Sequence, residues 1–155
     1  MTEVEFSRLL SDLAKTAENL NRESDSINEL IERFQETLRK LNIGLEVWLT
    51  SDPISSAECK VEAYDEMVPG SLDVHLGFIK SPPLDEWMLV TRRTWYRRSG
   101  EDWQLLSTER AIPLLAASRK DRIDALEKFP ALLNLLKDEA ESALKAIERA
   151  KKFVK

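Results

Sequence analysis

Apolar side chains recur at alternating steps of three and four along the first forty residues. The stripe consists of Phe6, Leu10, Leu13, Ala17, Leu20, Ser24, Ile27, Ile31, Phe34, Leu38 and Leu41, of which only Ser24 is polar. This heptad spacing is typical of a helix that keeps one face toward a partner helix. Thr2 and Glu5 have the spacing of a capping box, which starts a helix. The pattern predicts one continuous helix over residues 2–41, with a break at 21–26 as the alternative.

A second stripe with the same spacing occupies the last third of the chain. It consists of Leu126, Phe129, Leu133, Leu136, Ala140, Ala143, Ile147, Ala150 and Val154. Ser118 and Asp121 have capping-box spacing, and basic residues gather at the C-terminal end, where they favour the helix dipole. Pro130 lacks the amide that would bond to residue 126, so we expect the helix to kink or restart there. The pattern predicts a kinked helix over residues 119–154.

Between the helical regions the apolar period changes to two, which is the period of half-buried strands. The pattern predicts five strands, at residues 43–50, 58–64, 72–80, 86–97 and 102–109. Turn residues separate them at Asp52-Pro53, Pro69-Gly70, Pro82-Pro83 and Ser99-Gly100. Short connections favour an antiparallel meander. The sequence therefore predicts a two-layer α+β fold, in a single domain that covers residues 1–155.

The predicted helices are long for a domain of this size. A helix over residues 6–41 is about 54 Å long, whereas a compact domain of this length is roughly 40 Å across. The two helices could pack antiparallel to each other in one chain, across one face of the sheet, or pair between two chains in a dimer. Both arrangements stay open, because flanking apolar residues widen the stripes beyond what a two-helix contact needs. These residues are Leu9, Leu30, Leu132, Leu135, Leu144 and Phe153.

The composition is that of an ordinary globular chain, with 155 residues, 43% of them hydrophobic and 33% charged. Such fractions argue against disorder. The net charge of −5 argues against a surface that binds polyanions over its whole extent. The N-terminal residues do not have the pattern of a secretory signal, and no apolar run is long enough for a membrane span. We expect a cytoplasmic protein without membrane contact.

Residues for catalysis or metal binding are sparse. His75 is the single histidine, so a zinc shell has too few ligands, and no glycine-rich phosphate loop is present. A nucleophilic pair of Cys59 and His75 is the sharpest enzymatic hypothesis. Strand parity places the two side chains on opposite faces of the sheet, however. We therefore expect no enzymatic activity, no metal and no cofactor, with Cys59 as a buried thiol and His75 at the surface.

Aromatic and charged residues on the outward face of the strands form a candidate partner-binding surface. Trp48, Tyr64 and His75 alternate away from the apolar positions of their strands. Exposed aromatic residues among charges are typical of a recognition surface. In the alternative interpretation a helical segment covers this face, or Trp48 shields the edge of the sheet.

The segment TRRTWYRRSGEDW, residues 91–103, combines arginines with aromatic residues, as in phosphate and base recognition. A hairpin tip at Gly100-Glu101 would set three favourable cross-strand pairs, Arg98–Trp103, Tyr96–Leu105 and Arg92–Glu109. Arg93 and Arg97, on either side of Trp95, have no partner in that register. These three residues are the predicted contact for a nucleic acid or another anionic ligand.

Four segments together resemble a family of small bacterial α+β proteins that has no assigned activity. They are LNIGLEVWL (41–49), LGFIK (76–80), EW (86–87) and SRKDRIDALEKFPALLNLL (118–136). The resemblance brings no activity or site residues. In size and acidity alone, the chain is also similar to bacterial secretion chaperones.

Two functional hypotheses follow from these patterns. The first is a non-enzymatic protein–protein interaction protein, an adaptor or a chaperone-like protein, that self-associates as a homodimer. Wide heptad stripes and the lack of a catalytic constellation favour it. The alternative is nucleic-acid or anionic-ligand binding through the hairpin at residues 91–103.

Overall fold

Two long helices stand at the two ends of the chain, with an antiparallel sheet between them. The computed structural model describes residues 1–154. Within that range the elements are α1 Glu3–Leu41, β1 Val47–Leu49, β2 Ser55–Ala63, β3 Glu66–Ser81, β4 Glu86–Ser99, β5 Asp102–Thr108, β6 Ile112–Pro113, a 3-10 helix at Leu114–Ala116, and α2 Arg119–Val154. The predicted α+β class is confirmed. Among these residues the sheet has six strands where the sequence predicted five.

Helix α1 is continuous through residues 21–26, as the unbroken heptad phase predicted. Its first turn is closed by the predicted capping box. The Thr2 hydroxyl accepts a hydrogen bond from the Glu5 amide at 3.2 Å, and the Glu5 carboxylate accepts one from the Thr2 amide at 2.7 Å. The bond from the Thr2 backbone lowers the pKa of Glu5. The cap therefore contributes fully above the ordinary pKa of a glutamate and is lost as the pH falls through the lowered value.

Helix α2 runs without interruption past Pro130, so the predicted restart at this residue is wrong. The proline side chain is on the exposed side of the helix, whereas Ala125 and Leu132 on either side are fully buried. Packing of both flanking turns against the sheet holds the helix together across the one missing hydrogen bond. At the N-terminal end of α2, the Ser118 hydroxyl accepts a hydrogen bond of 3.1 Å from the Asp121 amide.

The hairpin of β3 and β4 forms the centre of the sheet. Strands β1 and β2 pair one after the other with the same edge of β3, and β5 and β6 do the same on β4. The sixth strand is the two-residue segment Ile112–Pro113, which pairs with Val90 and Thr91. Its shortness and its proline leave no alternating pattern, so periodicity could not predict it.

One predicted turn is in the wrong place, because Pro69-Gly70 lies inside β3. The chain reverses instead at Tyr64-Asp65, where both residues have positive φ angles of 54° and 63°. Two positive φ angles characterise the tight hairpin turn that matches strand twist. Pro69 faces Lys60 on β2, but the pairing of β3 with β4 starts only at the next residue. Proline is tolerated there because one edge of β3 is free at that point.

The core lies between one face of the sheet and the middle portions of both helices. Its fully or nearly fully buried residues are Ile31, Leu38, Val47, Ile54, Val74, Leu76, Phe78, Leu89, Leu114, Ala117, Ala125, Leu132 and Leu136. Phe34 of α1 stacks on Phe129 of α2 with ring centroids 4.2 Å apart. The core therefore uses only the part of each heptad stripe that lies over the sheet.

Helix α1 also covers the edge of β4 next to the β3–β4 turn. The Gln35 side-chain oxygen accepts a hydrogen bond from the Leu89 amide at 2.9 Å, and Arg39 donates to the Trp87 carbonyl at 2.5 Å. These side chains take the place of a neighbouring strand, which protects an exposed edge from pairing with another chain.

The antiparallel packing predicted for the two helices is not confirmed. Asn21 lies next to Arg119, with a hydrogen bond of 2.9 Å, and Phe34 lies next to Phe129. From the first contact to the second, the residue number increases in both helices, so α1 and α2 run parallel where they meet. Consequently residues 3–20 extend beyond the start of α2, and residues 137–154 extend beyond the end of α1.

Candidate functional site

The two projecting helix ends carry apolar side chains that the fold leaves uncovered. We call residues 3–20 the N-terminal arm and residues 137–154 the C-terminal arm. Each arm has 18 residues, which corresponds to about 27 Å of helix. The heptad stripe continues into both arms without a change of phase, so the arms present the same apolar face that the sheet covers in the body of the molecule.

The apolar side chains of the arms are strongly exposed. All residues from 1 to 23 are exposed, including Leu13 at 63%. The large hydrophobic residues concerned are Val4, Phe6, Leu9, Leu10, Leu13 and Leu20 in the N-terminal arm, and Leu144, Ile147, Phe153 and Val154 in the C-terminal arm. Single exposed leucines are ordinary on protein surfaces, but a contiguous stripe of them marks an interaction site.

Charges are distributed unevenly along the arms. The N-terminal arm carries four carboxylates and two basic side chains, with Glu3 and Glu5 in its first turn. In the C-terminal arm three acids lie between residues 138 and 141, and four bases lie between residues 145 and 152. The free end of the N-terminal arm is therefore acidic, and the free end of the C-terminal arm is basic.

Two of the predicted partner-binding residues, Trp48 and His75, meet on the sheet face that points away from the helices. The Trp48 ring lies flat over Gly77, where a side-chain Cβ would come within 2.6 Å of it. The Arg92 guanidinium stacks on the Trp48 ring at 4.0 Å from the centroid. His75 is only 2% exposed, and its Nδ1 is 3.3 Å from the Leu49 carbonyl. The prediction of a surface histidine is therefore wrong, because it lies beneath this cluster.

Tyr64 and Arg97 meet at the opposite end of the sheet. The Arg97 guanidinium stacks on the Tyr64 ring at 4.6 Å and donates a hydrogen bond to its hydroxyl at 3.3 Å. Arg97 also donates two hydrogen bonds to the Gln104 side-chain oxygen, at 2.7 and 3.1 Å. Arg97 is thus held by two partners within the chain, and it is not the free cation that the sequence suggested.

The predicted hairpin tip at Gly100-Glu101 is confirmed, together with the Arg98–Trp103 and Tyr96–Leu105 pairs. The third predicted pair is wrong. A bulge between Trp95 and Tyr96 shifts the register by one residue, so the Glu109 amide bonds to the carbonyl of Arg93 at 2.9 Å. The Glu109 carboxylate accepts a hydrogen bond of 3.4 Å from the Trp95 indole.

A small notch opens on the edge of β4 where the pairing passes from β5 to β6. We call it the arginine notch. Its cavity of about 270 Å³ is lined by Val74, Thr91, Arg92, Arg93, Glu109, Arg110, Ile112, Ser118 and Asp121. Arg93, which is level with Val74 on the helix-facing side of the sheet, and Arg110 line the cavity together with the carboxylates of Glu109 and of Asp121 in the first turn of α2. The guanidinium of Arg92 lies on the other face of the sheet, over Trp48. Within residues 1–154 the buried Nε of Arg92 has no hydrogen-bond partner.

The structure therefore divides the six predicted residues between three places. Trp48 and His75 lie in one cluster, Tyr64 and Arg97 in a second, and Arg93 and Trp95 adjoin the arginine notch. Sequence reasoning missed Arg92 and Arg110. The pairing of β3 with β4 sets Arg92 opposite His75, so the correct register of this hairpin would have indicated Arg92. Nothing in the pattern around Arg110 indicated that the chain returns to the edge of β4.

Cys59 pairs with Gly70, five residues along β3 from His75. This odd spacing places the two side chains on opposite faces, as strand parity predicted. Among residues 1–154 no three His, Cys, Asp or Glu side chains lie close enough to hold a metal ion. Across the same range, no helix combines the length and the apolar character needed to cross a membrane.

Comparison of the chain with protein-family models, with curated proteins and with solved structures gives no match in any of the three. The resemblance to small bacterial α+β proteins therefore stays a prediction.

Proposed function

We propose that this chain is a non-enzymatic protein–protein interaction protein that self-associates through its two helical arms. The observation that carries the proposal is the pair of apolar stripes that continue in phase beyond the body of the molecule, where the fold leaves them uncovered. The body provides the framework for the arms, because the sheet and the buried middle portions of the helices hold both at defined positions.

Burial of the arms gives a driving force that isolated helices of this length lack. A free helix of 18 residues is only marginally stable in water, whereas each arm extends a helix that is already nucleated in the body. Removal of apolar surface from water contributes roughly 25 cal/mol per Å². Association therefore gains this energy without the cost of forming the helices.

Replacement of Leu10 and Leu13 by glutamate should abolish self-association and leave the body folded. Both side chains are at least half exposed in the single chain, so the charges cost little there. In an association surface each would act at a hot spot worth about 2 kcal/mol, and the pair should weaken association on the order of 1,000-fold. Sedimentation velocity over a concentration series measures the change.

The matched control replaces Ser11 and Asn19 by glutamate, which adds the same charge to the polar side of the same arm. We expect this variant to associate like the unmodified chain. Equal association of both variants would show that the stripe is not the contact. Thermal unfolding of the two variants at low concentration checks that the body is intact.

A second candidate function is the binding of an anionic ligand at the arginine notch, and the presence of both Arg93 and Arg110 in its lining favours it. The hairpin itself is less suitable, because Arg97 and Arg98 are already engaged by Gln104 and by the Gly100 carbonyl. A site in the notch would suit a phosphate-sized group, since guanidinium groups bind such anions through paired donors.

Titration with inorganic phosphate tests this second candidate. Amide chemical shifts in the notch should move on addition of phosphate, with an affinity that falls as the ionic strength rises. Replacement of Arg93 and Arg110 by glutamine should remove the response, whereas the same change at Arg98 should preserve it. Shifts that persist in the double variant, or that lie elsewhere, would rule the notch out as the binding site.

A further inference from the structure

We propose that the sheet face turned away from the helices holds a binding site for a guanidinium group, such as that of an arginine side chain. The site is a cavity of about 370 Å³, within the range of roughly 300 to 1,000 Å³ for ligand sites. We call it the acidic–aromatic cavity. Asp73 alternates with the core residue Val74 along β3, which places the cavity on this face. Its lining consists of Ser56, Glu58, Ser71, Asp73, Tyr96 and Trp103.

Strand register brings the two carboxylates of the cavity close together. Glu58, Ser71 and Tyr96 are direct neighbours across β2, β3 and β4. Ser56 and Asp73 are paired in the next row of the same face. Glu58 and Asp73 are therefore diagonal neighbours, and the Cβ atoms of such neighbours lie about 7 Å apart. Both carboxylates can thus contact one bound cation.

The Asp73 carboxylate is held in a fixed orientation, and one of its oxygens stays available. Its Oδ1 accepts hydrogen bonds from the Ser56 hydroxyl at 2.5 Å and from the Ser71 hydroxyl at 3.0 Å. Both bonds go to the same oxygen, which leaves Oδ2 for a ligand. An acceptor whose orientation is already set loses little freedom when a charged donor binds.

The negative charge of the cavity is not neutralised by an ion pair within residues 1–154. Three basic side chains share this sheet face, but none of them lines the cavity. Arg92 is stacked on Trp48, Arg98 donates a hydrogen bond to a turn carbonyl, and Lys60 lies two residues beyond Glu58 on β2. Two carboxylates this close repel each other, so a bound cation stabilises both.

Two aromatic side chains complete the lining. Trp103 is 48% exposed and faces Arg98 across β4 and β5. Arg98 does not stack on this indole, because its Nε donates to the Gly100 carbonyl at 3.1 Å. In the part of the chain that the structure describes, the two stacked arginines lie over Trp48 and Tyr64 instead. The faces of the cavity's aromatic rings are therefore open to a cation from outside.

A guanidinium group matches this lining better than an ammonium group. Its paired N–H donors fit the two oxygens of a carboxylate, and its flat face stacks on an aromatic ring. An ammonium group is a more strongly hydrated point charge and has no flat face. The combination of two carboxylates with a tryptophan and a tyrosine therefore favours arginine over lysine as the ligand.

Titration with a short arginine peptide tests the proposal. The probe is glycine–arginine–glycine with blocked termini, followed by NMR of the protein. We expect saturable shifts of the Ser71 and Tyr96 amides and of the Trp103 indole, with an affinity that falls as the ionic strength rises. The same peptide with citrulline in place of arginine keeps the shape without the charge. We expect it to bind at least about tenfold more weakly.

Methylguanidinium distinguishes the two sources of the group. Equal affinity for methylguanidinium and for the peptide would support the site and point to a small-molecule ligand. Tighter binding of the peptide would support the site and point to an arginine presented by a partner protein.

Three variants test the lining residue by residue. Glu58→Gln and Asp73→Asn should each weaken binding of the arginine peptide about tenfold, because each removes a charged acceptor. Trp103→Leu should weaken it about threefold, because it removes a ring face at an exposed site. The matched control is Glu62→Gln, which makes the same charge change on the same face of β2 outside the cavity. We expect this control to bind like the unmodified chain.

Glu58 is exposed, so Glu58→Gln should leave the fold intact, and circular dichroism checks this. Any of four results overturns the proposal. These are equal binding of the arginine and citrulline peptides, shifts that lie elsewhere on the protein, an unchanged affinity in Glu58→Gln, and no response up to tens of millimolar peptide. The cavity contains no arm residue, so none of these results bears on the proposed self-association.

Discussion

Replacement of Leu132 by alanine should lower the free energy of unfolding by about 2 to 5 kcal/mol, the range for a large-to-small change in a core. Leu132 is fully buried on α2 and belongs to the same cluster as Ile31, Leu76 and Phe78. The removed atoms lose their transfer energy, and the cavity persists because sheet and helices hold its walls. Urea unfolding followed by circular dichroism measures the loss as a lower midpoint.

Leu105→Ala is the control for this change. Leu105 lies on β5 and is 63% exposed, so we expect a loss below about 1 kcal/mol. Similar losses for the two variants would contradict the placement of the core between the helix middles and the sheet. An equal slope of unfolding against urea would show that the variants expose the same surface on unfolding.

The second large effect is expected from Gly70→Ala. Gly70 is buried within β3, and a Cβ added there would lie 2.6 Å from the Tyr96 carbonyl oxygen and 2.7 Å from both Val61 methyl groups. The contact with the backbone can be relieved only if β3 and β4 move apart, so we expect a cost of about 1 to 3 kcal/mol, as for other overpacked positions. Thermal or urea unfolding measures it.

A double-mutant cycle with Val61→Ala separates the two contacts. Removal of the methyl groups should recover part of the cost of Gly70→Ala, so the double variant should be less destabilised than the sum of the single variants. The destabilisation that remains in the double variant measures the steric clash with the Tyr96 carbonyl oxygen. Strict additivity would contradict the close approach of Val61 to the glycine.

Helix lengths could be predicted from sequence because they depend on local pattern. The heptad stripe gave the bounds of α1 to within one residue, and Thr2 with Glu5 marked its start. The same stripe could not show which part is covered, since Leu10 and Ile31 occupy equivalent heptad positions, yet one is half exposed and the other is fully buried. Their different burial depends on where the sheet ends, and that is a property of the whole fold.

Strand boundaries and cross-strand pairs were less predictable, because single residues displace them. Asp65 and Tyr64 form a turn that requires positive φ angles without any glycine, so Pro69-Gly70 gave the stronger but incorrect turn signal. In the hairpin of β4 and β5, the turn at Gly100-Glu101 correctly predicted the pairs Arg98–Trp103 and Tyr96–Leu105. The bulge between Trp95 and Tyr96 then moved Glu109 from Arg92 to Arg93.

The exposed arms were not among the site residues predicted from the sequence, although their stripes were noted as wider than a two-helix contact needs. The sequence also singled out arginines that the structure satisfies internally, most clearly Arg97 with Tyr64 and Gln104. Whether an arginine is available to bind a ligand depends on which side chains lie beside it. For Arg97 these side chains come from other parts of the sheet, and only the strand register brings them close.

Sedimentation equilibrium of the unmodified chain, from low to tens of micromolar, tests the central claim most directly. The single chain has a mass of 17.8 kDa. The proposal predicts that the measured mass rises with concentration and levels off at twice this value. A mass that stays at that of one chain over the whole range would contradict self-association through the arms, and a mass that rises beyond two chains would contradict a homodimer.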